Sequence, residues 1–248
     1  RGIIRDTNGA VVATNRPSYD VYITPQLMNG AEDQRRVAEL MSLTQEQEQD
    51  LKHRLEAIPL RRRTHQIKIF RDISRDQLAA LQTHSRELPG VDVVASPVRT
   101  YPFGSSAAHL IGYHNEVNAE DLERYPERRY RAGDVIGRTG VESAWESELR
   151  GTRGLRRMLV DARGRIQDGL ELPDDGRPSY IEPIPGHDLR LTVDMELMAA
   201  VQRAFRGHPS GAAVVVEVNT GWIRAIYSKP AYNLNEMSGR LSQRRFDE

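Results

Sequence analysis

Apolar residues in this chain change period several times over short distances, and that constrains its fold more than any other feature. Tyr19, Val21 and Ile23 alternate with Asp20, Tyr22 and Thr24, the period of two of a half-buried strand. By Val37, Leu40 and Met41 the spacing is three to four, which is one face of a helix. Thr44 then precedes Gln47 in a capping box, and Leu51, Leu55 and Ile58 continue the apolar stripe until Pro59 stops it. Period two returns at Ile67 and Ile69. A second capping box, Ser74 with Gln77, opens a helix carrying Leu78, Leu81 and Leu88, and Pro89-Gly90 ends it. Val91, Val93 and Val94 form the next strand. Residues 26–95 therefore read as a small α+β insert between β segments.

The flanking stretches read differently. Residues 1–25 are strand, turn, strand, with Asp6-Thr7-Asn8-Gly9 as the turn and Val11 and Val12 after it. Arg61, Arg62 and Arg63 read as a solvated loop. Asn118 caps a short helix through Glu123. Val141, Trp145 and Leu149 recur at helical spacing and predict the buried face of one helix. Strands are predicted at 155–161 and 165–170. Four prolines, Pro173, Pro178, Pro183 and Pro185, mark a linker and a domain boundary. Beyond it, Leu189, Leu191 and Val193 alternate. Asp194 caps a helix with Leu197, Val201 and Phe205 on one face, and a hairpin runs from 212 to 228 around Asn219-Thr220-Gly221. A strand, a helix and a hairpin leave sheet edges unpaired, so this last segment reads as the beginning of a larger α/β sheet.

Composition excludes whole classes of function. The 248 residues carry 35 Lys+Arg against 35 Asp+Glu, a balance that argues against a nucleic-acid partner. There is no cysteine, hence no disulfide framework, thiolate metal site or cysteine nucleophile. Every basic residue but Lys52, Lys68 and Lys229 is arginine; because the arginines alternate with acids, this reads as coding bias rather than phosphate recognition. The longest apolar run, Ala212 to Val216, is far below the roughly 20 residues of a spanning helix. The chain begins with Arg1, so it is expected to be a cut or processed product.

No self-sufficient active site emerges. The seven histidines form no His-Glu-x-x-His, and His109 and His114 have no acid at metal-ligand spacing. A phosphate-cradling Gly-x-x-x-x-Gly-Lys, a Gly-x-Ser-x-Gly elbow and Ser-x-x-Lys are all absent. Neither a cofactor nor a metal is expected.

Five blocks in order do carry a resemblance. They are Arg1-Gly2-Ile3-Ile4-Arg5-Asp6-Thr7-Asn8-Gly9; Arg99-Thr100-Tyr101-Pro102-Phe103-Gly104 with Ala108 to Tyr113; Gly137-Arg138-Thr139-Gly140-Val141-Glu142 with Leu149 to Gly154; Gly186-His187-Asp188 to Asp194; and Gly211 to Val216 with Ser228 to Asn233. Together they resemble the periplasmic part of class B penicillin-binding proteins. The elongation enzymes, the penicillin-binding protein 2 group, fit best, on the Arg163-Gly164-Arg165 turn, the Gly186-His187-Asp188 step and the short gap between the Asp194 helix and the next strand. The chain departs from the family at Thr7, where arginine is usual, in its long proline-rich stretch, and at Tyr232-Asn233-Leu234-Asn235, where Tyr-Asp-Pro-Asn is common.

The resemblance implies an α+β fold: an elongated β-rich pedestal from residues 1–25 and 96–172, an inserted head from 26–95, a linker at 173–186, and an incomplete transpeptidase start at 187–248. It implies a parent enzyme, a serine D,D-transpeptidase that cross-links peptidoglycan stem peptides, on the periplasmic side of the inner membrane with an anchor upstream of Arg1. Partners implied are a RodA-type polymerase at the pedestal and an MreC-type scaffold at the head. The nucleophile of the family lies beyond the first hairpin, so this chain is expected to be inert. Incubated with a fluorescent penicillin, it should carry no covalent label on a denaturing gel.

Arg1, Asp6, Arg99 and Glu142 fall in the three pedestal blocks and are expected to meet in a polar junction, with Gly2, Gly9, Gly104, Gly137 and Gly140 serving backbone turns. A buried junction loses roughly 3–5 kcal/mol when halved. Separate surface pairs are worth roughly 0–1 kcal/mol each. The alternatives are a septal enzyme of the same family, or a stand-alone interaction module without a transpeptidase domain.

Overall fold

The structure, a computed structural model, describes residues 1–131, 133–159, 161 and 175–238. The chain forms two compact units. The first contains Arg1–Asn15, Arg99–Gly154 and the residues from Glu182 on; the second contains Arg16–Val98 with the strands Leu155–Arg156 and Tyr180–Ile181. The predicted strand at 165–170 lies outside the described residues.

In the first unit a four-stranded sheet runs in the order Leu189–Arg190, Ile4–Arg5, Val11–Arg16, Val98–Thr100. Ile4–Arg5 turns back antiparallel onto Val11–Arg16 through residues 6–10, as the turn signal predicts. It also pairs in parallel with Leu189–Arg190, far away in sequence. One core results. Ile4, Val12 and Ala13 pack with Tyr101, Ile111 and Leu149, and equally with Met195, Met198, Tyr227 and Leu234 from beyond the proline-rich stretch. That stretch carries the strand Tyr180–Ile181, paired antiparallel with Leu155–Arg156. The Asp194 side chain accepts from Glu196 N and Leu197 N and starts the helix Met195–Ala204. Met195 and Met198 are its fully buried residues, while Leu197, Val201 and Phe205 pack partly buried beside them.

The strands Gly211–Val216 and Ile223–Lys229 pair only with each other among the described residues. Ala225 and Tyr227 face the core, while Val214, Val216, Val218 and Trp222 are exposed. One expectation is corrected. Val141, Trp145 and Leu149 do not form one buried helix face, because the backbone breaks at Trp145 into Gly140–Ala144 and Glu146–Arg150. Trp145 is half exposed, and the face turned inward carries Glu142, Glu146 and Leu149. Carboxylates take the inner face because arginines meet them there.

The second unit is built on a three-stranded antiparallel sheet in the order Ile67–Phe70, Tyr19–Ile23, Val91–Ala95. The segment read from sequence as 1–25 is thus divided by pairing. Its last strand, Tyr19–Ile23, is the centre of this sheet. The helices Ala31–Leu40, Gln45–Glu56 and Arg75–Thr83 supply Val37, Leu51, Leu55 and Leu81 to a core with Val21, Ile23 and Ile69. Both predicted capping boxes form, with Thr44 N donating to Gln47 Oε1 at 2.9 Å and Ser74 N to Gln77 Oε1 at 2.9 Å. Arg63 is not merely solvated: its Nε donates to Ile58 O at 3.2 Å, at the end of Gln45–Glu56.

Candidate functional site

Glu142 is fully buried in the first unit, and two guanidiniums meet there. Arg99 Nε donates to Oε1 at 2.8 Å and Arg1 Nε to Oε2 at 2.7 Å. The Tyr101 hydroxyl donates to Oε1 at 3.2 Å. Arg1 Nη2 reaches further, to Glu146 Oε2 at 2.6 Å and Glu142 O at 3.0 Å. Glu146 also accepts from Tyr130 Oη at 3.0 Å and from Gly137 N at 2.9 Å. Arg99 Nη1 donates to Gly2 O at 2.6 Å, and Asn15 Nδ2 to Arg1 O at 2.6 Å. Two arginines and two glutamates thus balance in charge and tie the first strand, the Arg99 strand and the two short helices together. Burial alone would raise the Glu142 carboxyl, but Arg1 and Arg99 outweigh it and hold its pKa below the ordinary value. Burial and the neighbouring Glu142 charge push the Tyr101 hydroxyl up, so it stays a donor.

Of the four residues expected to meet, the structure brings together Arg1, Arg99 and Glu142, and places Asp6 elsewhere. Asp6 is also buried. Its Oδ1 accepts from Asn8 N at 2.9 Å and Ala10 N at 2.8 Å, closing the turn, and its Oδ2 accepts from Met195 N at 3.1 Å. Thr7 N donates to Val193 O at 2.9 Å, and Asn8 Nδ2 to Asp194 Oδ2 at 3.0 Å. The turn therefore holds the start of the helix Met195–Ala204. A carboxylate suits that place, where free N–H groups and the helix dipole favour negative charge. Asp6→Ala takes the acceptor from three backbone donors, of which Met195 N is buried, and should cost about 2–4 kcal/mol, measured by urea denaturation. Asp6→Asn, which keeps one acceptor oxygen, should lose less.

The motif glycines divide by cause. A Cβ on Gly137 would lie 2.0 Å from Glu142 O, and one on Gly2 1.9 Å from His187 O, so these two permit close backbone approach. Gly9, Gly104 and Gly140 have positive φ. Sequence reading missed Glu146, although its position four after Glu142 on a helix was the available signal. It also missed Asn235, whose side chain exchanges two 2.9 Å hydrogen bonds with the Tyr101 backbone, and His114, which is buried beside the junction. Among the described residues no group of His, Asp and Glu could hold a metal ion, and no helix is long and apolar enough to cross a membrane.

A sheet completed across the chain and a charged junction at its motif blocks define a class, and sequence comparison gives that class its name. The profile described as Penicillin-binding Protein dimerisation domain matches residues 1–191, and the chain belongs to that family. Among individual relatives, the peptidoglycan D,D-transpeptidase MrdA of Escherichia coli K12 is 29% identical over 95% of this chain and 36% of its own length. MrdA of Acinetobacter baumannii is 29% identical, with 95% and 33% covered, and so is penicillin-binding protein 3 of Bacillus subtilis 168. The chain spans about a third of the length of these relatives. A solved complex between penicillin-binding protein (PBP2) and MreC from Helicobacter pylori matches with a TM-score of 0.75 at 23% identity, over 100% of this chain and 44% of that one. The expected fold class, α+β of the pedestal and head type, is the one observed.

Proposed function

We propose that this chain is the non-catalytic, periplasmic portion of an elongation-type peptidoglycan D,D-transpeptidase, and that its work is to position a catalytic domain. The observation that carries this reading is the shared core and polar lock of the first unit. The Asp6 turn holds the start of the helix Met195–Ala204, and Arg1 and Arg99 lock the strands behind that turn onto Glu142. Such a unit transmits position rather than chemistry. The MrdA relatives favour the elongation role over the septal one. The likeness to a Helicobacter pylori PBP2 solved in complex with MreC favours an MreC-type scaffold as partner, and we assign it to residues 26–95. A RodA-type polymerase is assigned to the pedestal, and stem peptides to the catalytic domain of the longer protein.

Two measurements test this. In a strain depleted of the native enzyme, the full-length protein with Glu142→Ala should still label with fluorescent penicillin yet fail to restore rod growth. Full rescue at equal protein level would sink the positioning role. Separately, the purified chain should bind the periplasmic part of the same organism's MreC-type protein, and deletion of 26–95 from the full-length protein should abolish that binding. Undiminished binding by the deletion would remove the partner assignment.

A further inference from the structure

Three buried side-chain nitrogens of the first unit have no protein hydrogen-bond partner: Arg1 Nη1, Arg99 Nη2 and His114 Nδ1. All three belong to the surroundings of Glu142. His114 pairs across the strands His114–Glu116 and Val135–Gly137 with Gly137, whose N–H donates to Glu146. Gly137 in turn abuts the Glu142 carbonyl. The His114 ring feels the charges of Glu142, Arg1 and Arg99. Buried polar atoms left over in this way are bridged by internal water, which makes about three hydrogen bonds.

The donor set selects the ligand. Guanidinium N–H groups only donate. Nδ1 of a neutral histidine accepts when the proton sits on Nε2. A water molecule accepts two hydrogen bonds and can donate to the third atom. An anion accepts only, so it would require the Nδ1–H tautomer of His114. It would also bring negative charge beside the Glu142 and Glu146 carboxylates.

We infer that the junction encloses one internal water molecule, receiving hydrogen bonds from Arg1 Nη1 and Arg99 Nη2 and donating to His114 Nδ1. The junction is then a hydrated lock whose closure requires the Nε2–H tautomer of His114. A second proton on the ring converts Nδ1 into a donor, and three donors then crowd one water. The other titratable groups facing the cluster are Glu142, Glu146, Tyr101, Tyr130 and the α-ammonium of Arg1.

The test is a high-resolution crystal structure of the 248-residue chain at neutral pH, with nitrogen-15 NMR of its histidines. One water peak within hydrogen-bond distance of at least two of the three nitrogens is expected, with His114 as the Nε2–H tautomer. A dry junction, or an Nδ1–H tautomer, overturns the inference. An anomalous peak there after a bromide soak also overturns it, because the ligand is then an anion. In His114→Phe the water should be lost; its persistence on the two arginines alone removes His114 from the site. Should that variant fail to fold, the wild-type tautomer still decides.

Discussion

Replacing Glu142 by alanine is expected to destabilise the first unit by about 3–5 kcal/mol, among the largest effects open to a single substitution here. The magnitude follows from what is left behind. Arg1 and Arg99 are each less than a tenth exposed at the side chain and would face a low-dielectric interior with their main counter-charge gone. Glu146 partly compensates, but only for Arg1. Urea denaturation should show a lower midpoint with an unchanged slope. Glu142→Gln should fall between, since the amide keeps an acceptor but not the charge. Arg157→Ala is the control. Its pair with Asp175 is solvent-screened, and no measurable midpoint shift is expected. A Glu142→Ala protein as stable as the parent would mean that the lock contributes nothing.

Acid should weaken the same unit in a window set by His114. Burial lowers that imidazole from 6.5 to about 4. Between those values the unfolded chain binds a proton that the folded chain refuses. The share of stability that depends on His114 is therefore complete above about pH 6.5 and declines as pH falls toward 4, by about 3 kcal/mol in all. Glu142 adds a loss of the same sign lower down. Its pKa is depressed in the folded state, so its contribution is present above the ordinary carboxylate value and disappears as pH falls through the folded one. Denaturation midpoints measured from pH 7 to pH 4 in parent and His114→Phe separate the two. The variant should be flat from pH 6.5 to 5 where the parent already slopes. Parallel curves would show that His114 is not the titrating group.

Features set by neighbours in the chain were legible in the sequence. The capping boxes at Thr44 and Ser74 need only side chains three residues apart, and both formed as read. The turn at 6–9 needs only residues tolerant of tight backbone geometry, and it closes between Ile4–Arg5 and Val11–Arg16. Reading failed where a residue's role depends on a distant strand. Asp6 and Glu142 look alike in sequence, each an acid in a glycine-containing motif block. One accepts from Met195 N, the other from two guanidiniums. Trp145 fits an apolar helical face by spacing, yet it is half exposed because Glu142 and Glu146 occupy the buried side. His114 carries no local signal at all.

The sequence by itself determined the order and kind of the local elements, the two capped helices of the second unit and the absence of a serine–lysine nucleophile motif, because each rests on residue types and short spacings. Only the tertiary structure decided which buried acid meets which arginine, that Leu189–Arg190 closes onto Ile4–Arg5, and that Tyr19–Ile23 belongs to a different sheet from Val11–Arg16. The physical reason is that strand pairing and buried ion pairs join residues from some forty to nearly two hundred positions apart. Their partners are chosen by which groups the shared core removes from water together.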